Sequence, residues 1–194
     1  MDSTSICNLA LSYLAKGTIS NIDENKELAR QCKTHSDHQR RMLLTDYDWG
    51  FAKRYAKLAA ISMATPYQGY EYAYTYPTGC LAVRRLYQDS SEENEEFIIA
   101  DIDANTRAIL TNIESAYIDY TCDVTDTTIF SEIFCEALAR AMAQAMAVPL
   151  TGNSTLMQLN YQLMQYAVLK AKVTTAREKK KETVYPTGYF DGRS

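Results

Sequence analysis

Cys32, His35 and His38 fall at intervals of three residues, with Asp37 beside His38. Thiolate and imidazole groups at this spacing on one helix can share a zinc ion, and three protein ligands plus a water make a hydrolytic zinc centre. Successive steps of three drift around the helix, however, and leave Cys32 and His38 about 120° apart. His35 and His38 are the chain's only 2 histidines, so no second cluster offers a fourth ligand. A small zinc-dependent hydrolase using Cys32, His35 and His38 is one functional reading. Ordinary core and surface side chains are the other.

The remaining catalytic signatures are missing from the sequence. Gly50, Gly69, Gly79 and Gly152 stand singly, so no loop can cradle a phosphate, and there is no GxSxG elbow. The carboxylates of Asp89, Glu92, Glu93, Glu95 and Glu96 crowd one loop. A catalytic pair needs two distinct environments, whereas an acidic tip of this kind is solvated. Tyr70, Tyr72, Tyr74 and Tyr76 alternate with Glu71, Ala73 and Thr75. Stacking on single-stranded nucleic acid calls for lysine or arginine between the rings. With an acid, an alanine and a threonine there, the four tyrosines read as a subunit interface, with buried rings and wet hydroxyls.

The elements that would position these groups follow from periodicity. Ile6, Leu9, Ala10, Tyr13 and Leu14 form one helical stripe, capped at Asp2 or Ser3 and stopped at Lys16-Gly17. Asp23 is the expected cap of a second helix reaching about Asp46, with Leu28, Cys32, His35, Gln39 and Met42 as a partly polar inner face. From Tyr70 the period changes to two. Short β-like runs follow at Leu81–Tyr87, Phe97–Ile102, Ala108–Ile113 and Ala116–Cys122, predicting an antiparallel meander or small barrel. Trp49, Phe51, Lys53 and Tyr55 also alternate, which favours strand over helix between Asp48 and Ile61.

A third helix is expected after an Asp126 cap, with Ile129, Ile133, Ala137, Leu138, Ala141, Met142 and Ala145 on its apolar face and Pro149 and Gly152 ending it. Its alanines allow a partner helix to approach closely. The fourth runs from Asn153-Ser154 to about Lys181, with Leu156, Leu159, Leu163 and Tyr166 beside Met157, Tyr161, Met164, Val168 and Ala171. A stripe this wide needs more than one neighbour, supplied by the other helices or by an adjacent subunit. Beyond it, Pro186, Gly188 and Gly192 forbid helix, yet Tyr185, Tyr189 and Phe190 are more apolar than a solvated tail requires. Such a tail either folds back on its own domain or docks onto a partner.

Composition excludes several classes. A hydrophobic share of 46% with 23% charged residues is that of a globular chain. No run approaches the length of a membrane span, so no membrane partner is expected. The start, Met1 to Ser5, shows no secretion signal. A net charge of −4 argues against broad adhesion to nucleic acid. The 5 cysteines, Cys7, Cys32, Cys80, Cys122 and Cys135, form no CxxC pair and suit reduced thiols in a cytoplasmic product.

Several segments, taken in order, resemble one family. They are Ile6-Cys7-Asn8-Leu9-Ala10-Leu11 with Gly17, Ile19, Ile22 and Asp23-Glu24-Asn25, then Ala29-Arg30-Gln31-Cys32 and Trp49-Gly50-Phe51-Ala52. Tyr72-Ala73-Tyr74 leading to Pro77 and Cys80-Leu81, Tyr120-Thr121 with Asp123 to Asp126, and the alanine-rich helix complete the set. Together they resemble the head-to-tail adaptors of short-tailed bacteriophages, the tail tubular protein A or gatekeeper family. The resemblance implies an α+β fold: an antiparallel bundle of about four helices (residues 1–46 and 126–181), an inserted small antiparallel β domain (47–125) and an extended C-terminal arm (182–194).

It also implies a virion protein, made in the host cytoplasm, that forms a ring of usually twelve copies beneath the portal protein. The ring carries a tail nozzle protein and lets double-stranded DNA through without sequence-specific binding. Tyr185, Tyr189, Phe190 and Arg193 are then the portal-docking candidates. No cofactor and no enzymatic role are expected, although accessory activity has been discussed for some members. A different head-completion connector protein is a further alternative. The acidic balance suits a conduit, since a basic lumen would hold the polyanion back.

Overall fold

The computed structural model describes residues 1–62, 66–67, 69–89 and 93–178. The arm candidates Tyr185, Tyr189, Phe190 and Arg193, like the predicted last turn of the fourth helix to Lys181, lie outside the described residues. Four helices flank a β region of seven strands, the α+β arrangement expected. The helices are α1 (Ser3–Ser12), α2 (Glu27–Asp46), α3 (Glu132–Thr151) and α4 (Ser154–Glu178). The strands are β1 (Lys53–Lys57), β2 (Ala60–Ile61), β3 (Tyr72–Thr75), β4 (Cys80–Gln88), β5 (Phe97–Asp101), β6 (Arg107–Thr111) and β7 (Ala116–Cys122).

Local chemistry sets the helix ends, in places differently from the pattern. The Asp2 carboxylate accepts the Ser5 amide at 2.7 Å and caps α1. Ala15, rather than Gly17, takes the left-handed conformation after α1 (φ 52°), and the Lys16 amide turns back to the Leu11 carbonyl. Asp23 does not cap α2. It lies in a turn before the helix, where Lys33 reaches it at 2.7 Å, and α2 starts at Glu27 without a side-chain cap. Asp126 caps only the short 3-10 turn Thr127–Ile129, and Ser131 accepts the Phe134 amide to start α3. Pro149 sits inside the last turn of α3. The actual stop is Gly152, whose φ of 66° is the left-handed C-cap that glycine adopts without strain.

α3 is the central helix. Ala137, Ala139, Ala141, Ala143 and Ala147 are all fully buried, and their small side chains let α1, α2 and α4 pack against it. It is long and apolar enough to cross a membrane by composition, yet more than half of its apolar window is buried within the protein. The buried face of α2 is turned from the predicted one. Ala29, Cys32, Arg40, Leu43 and Leu44 point inward, while Met42 is 59% exposed. An inward arginine is invisible to a hydrophobic pattern, and it is stable only because it is paired.

That arginine joins the two regions. The Arg40 guanidinium pairs with Asp123 at the end of β7 and donates to the Val124 carbonyl at 2.6 Å. A reciprocal tie comes from β4, where Arg84 Nη2 donates to the carbonyls of Leu44, Thr45 and Tyr47 at the α2 terminus, at 2.8 to 3.2 Å. Arg40→Ala would leave the Val124 carbonyl without its donor and Asp123 with Arg41 at 3.3 Å. We expect a loss of about 2 to 4 kcal/mol, below a fully buried pair because Asp123 is partly exposed. A lower urea midpoint with an unchanged slope would register it.

The β region is neither a meander nor a barrel. β1-β7-β4 form one antiparallel sheet and β2-β3-β6-β5 a second. The chain crosses between them at Leu58-Ala59: the Leu58 amide bonds the Ala116 carbonyl in the first sheet, and the Ala59 carbonyl accepts the Thr75 amide in the second. Leu58, Tyr74, Leu86, Ile109, Ala116 and Ile118, drawn from both sheets, form the core between them. Pairing of β1 with β7 spans more than sixty residues of sequence, a long-range contact that local runs do not report.

Candidate assembly surface

The zinc candidates are not brought together. Cys32 points into the bundle toward Cys7, His35 is half-buried, and His38 is exposed beside an open cleft lined by Arg41, Tyr76 and Arg107. The hydrogen bond with Cys32 and burial push the Cys7 thiol well above its usual range. Burial, together with the nearby His38, lowers the His35 imidazole. Among the described residues no group of three or more His, Cys, Asp or Glu could hold a metal ion.

The tyrosine candidates divide. Tyr74 is 2% exposed, and its hydroxyl donates to the Ile113 carbonyl at 2.6 Å, so it belongs to the subunit's own core and not to an interface. Tyr72 and Tyr76 pack half-buried against the same cluster. Burial and the neighbouring Cys80 push the Tyr76 phenol up to about 12. Tyr70 packs on the opposite side of the four-stranded sheet, its hydroxyl 3.2 Å from the Glu96 carboxylate. The alternation holds for Tyr72, Tyr74 and Tyr76, but Tyr70 precedes β3 and falls on the other face with Ala73.

Among the described residues, most of the exposed large hydrophobic side chains lie on α4. Asn153 accepts the Thr155 and Leu156 amides at 2.9 and 3.2 Å and starts the helix. One face packs on α3 through Met164, Ala167, Val168 and Ala171. Asn160, 1% exposed, is satisfied there by the Leu156 carbonyl at 2.9 Å and by Arg140 at 3.2 Å. Lys172 adds a bond to Asp46 of α2 at 2.7 Å. The opposite face carries a second stripe: Leu159, Leu163, Tyr166, Leu169 and Val173, between 37% and 67% exposed. Their steps of four, three, three and four residues repeat close to the period of a helix seam.

No family model matches the chain, and no curated protein matches it.

Grooves flank the stripe on both sides. One, of about 360 Å³, opens between α3 and α4 over Ile133, Leu163 and Tyr166, with Glu132, Glu136 and Lys170 at its rim. Another, of about 460 Å³, opens between α2 and α4 over Met42, Met164 and Leu169. Exposed Met42 and Leu169 meet there, so the apolar surface continues from α4 onto α2. Burying side chains of this size is worth about 1.5 to 3 kcal/mol each. An apolar helix face bordered by grooves and charged rims is suited to receiving another helix. Beneath it, burial and the Glu136 carboxylate push the Tyr13 phenol up to about 12, with Arg140 stacked over the ring. That network ties the end of α1 to α3 beneath α4.

Proposed function

We propose that the chain is a structural subunit that assembles with copies of itself into the ring joining the portal of a short-tailed bacteriophage to its tail. Double-stranded DNA passes through that ring without sequence-specific contact, and no enzymatic step is involved. The observation that carries this reading is the second apolar stripe of α4, which no other element of the chain covers among the described residues. The order and spacing of the family-like segments supply the identity of the ring. The bundle with a β region between α2 and α3 has the layout that the resemblance implies.

In a ring each copy offers the α4 face to a neighbour, and the stripe is then buried once per junction. Electron microscopy of the protein mixed with its cognate portal tests the assignment. An additional ring beneath the portal is the expected result, and particles indistinguishable from portal alone would overturn it.

The arm from Thr183 to Ser194 is assigned to portal docking on its sequence. Pro186 lacks an amide donor and disfavours helix at Tyr185, and aromatic anchors each contribute on the order of 2 kcal/mol when they fill a pocket. Ordering backbone costs about 1 to 2 kcal/mol per residue, so the contact gains its strength from repetition around the ring. Truncation after Lys181 is expected to leave the circular dichroism spectrum unchanged and to weaken portal binding by at least tenfold. Unchanged affinity would move the contact to the bundle or the β loops.

A further inference from the structure

The outer face of the three-stranded sheet has a chemistry that the assembly reading does not use. The register places Lys57, Tyr117 and Tyr87 in one row across the sheet and Tyr55, Asp119 and Arg85 in the next, with Lys53 beyond Tyr55 on the same strand. The alternate residues Ala56, Leu86 and Ile118 fill the core between the sheets, so these rows point away from it.

Each ring is matched with a cation. Lys53 Nζ lies 5.1 Å from the Tyr55 centroid, Lys57 Nζ 5.5 Å from that of Tyr117, and the Arg85 guanidinium 4.6 Å from that of Tyr87. Tyr87 and Tyr117 stack at 6.0 Å with planes 23° apart. Asp119, 2% exposed, accepts Lys53 at 2.9 Å and Arg85 at 3.3 Å and holds both upright. Burial pulls the Lys53 ammonium down, but the bond to Asp119 outweighs it and the net shift is upward, so the group stays charged. Tyr55 is 66% exposed on the edge strand β1, between Lys53 and the exposed Lys57.

Lys53, Lys57 and Arg85 outnumber Asp119 and the nearby Asp48, the reverse of a chain that carries 20 basic and 24 acidic residues. The face therefore stands out from an acidic protein as a local attractor of polyanions. Its rings add a requirement that a bare polyanion does not meet: a planar group to lie on Tyr55. Single-stranded nucleic acid supplies both, with phosphates for the lysines and a base face for each ring. A duplex keeps its base faces inside the stack, and a flat sheet does not enter its groove to read edges. An acidic peptide supplies charge without the rings.

We propose that this sheet face binds single-stranded nucleic acid without sequence preference, stacking bases on Tyr55 and the Tyr87–Tyr117 pair and taking phosphates on Lys57 and its neighbours. The site is separate from the α4 stripe, so loss of one leaves the other intact.

Fluorescence anisotropy of a labelled oligothymidylate, titrated with the full chain at low salt, tests it. Saturable binding that weakens with rising salt is expected. Tyr55→Ala, exposed enough to leave the fold intact by circular dichroism, should weaken binding at least about fivefold. Lys57→Ala should lower the dependence of log affinity on log salt by about 0.7. Absence of binding, or binding unchanged in both variants, overturns the proposal. Tighter binding of a duplex of the same length overturns it too. Equal displacement by polyglutamate at matched charge assigns the face to an acidic protein segment instead.

Discussion

Exchanging Tyr166 and Leu169 together for glutamate is expected to abolish ring assembly on the portal while leaving the isolated subunit folded. Both side chains are more than 60% exposed, so their removal costs the monomer little. Surface changes of this sort stay within about 0.5 kcal/mol each. For a chain of this length that is a shift of melting temperature of no more than about 2 to 4 °C. In the proposed ring the same positions would lie at each junction. There the glutamates forfeit about 1.5 to 3 kcal/mol of apolar burial apiece and add the cost of desolvating a charge, several kcal/mol more. Light scattering of the variant mixed with portal would read the loss, and a scanning melt would verify the fold. Assembly that proceeds as in the unaltered protein would show that the stripe is not the seam.

The second large effect falls on Trp49, the chain's only tryptophan. It is 1% exposed, donates its indole N–H to the Leu43 carbonyl at 2.7 Å, and meets Tyr47 and Phe134 edge-on at 5.2 and 5.0 Å. Phe130 and Phe134 continue this aromatic cluster into α3 through Phe51. Trp49 thus sits where the end of α2, the entry to β1 and the start of α3 converge. Trp49→Ala should cost about 3 to 5 kcal/mol through the cavity left behind, a large part of the roughly 5 to 15 kcal/mol that holds a domain together. Because that variant could unfold outright, Trp49→Phe serves as the graded test. It keeps most of the volume and loses the indole bond, for about 1 to 2 kcal/mol. Urea unfolding followed by circular dichroism measures both, and a change below 0.5 kcal/mol for the alanine variant, about the scatter of surface substitutions, would contradict the account.

How much of this was legible in the sequence depends on how local each feature is. The α1 stripe and the strands from Cys80 to Cys122 came out near their observed bounds, because apolar periodicity reports local burial. The inner face of α2 did not. Arg40 goes inward because Asp123, which lies 83 positions away, waits for it, while Met42 stays 59% exposed in the groove between α2 and α4. The two-sheet topology was hidden for the same reason, since β1 pairs with a strand at the far end of the β region. The breadth of apolar surface on α4 was visible as a pattern too wide for one partner. Which half α3 takes was not. The tyrosines that alternate most plainly, Tyr72, Tyr74 and Tyr76, turn out to line an internal core. The basic and aromatic face went unseen because Lys53 to Lys57, Arg85 to Tyr87 and Tyr117 to Asp119 come from three separate segments. Only strand register puts them side by side.

The central claim is that copies of this chain meet along α4. A density map of isolated tails at side-chain resolution tests it most directly. The account predicts many copies in a closed ring below the portal, with Leu159, Tyr166 and Val173 of each copy buried against a neighbour. A single copy per tail, or a ring in which the stripe faces open solvent, would contradict it.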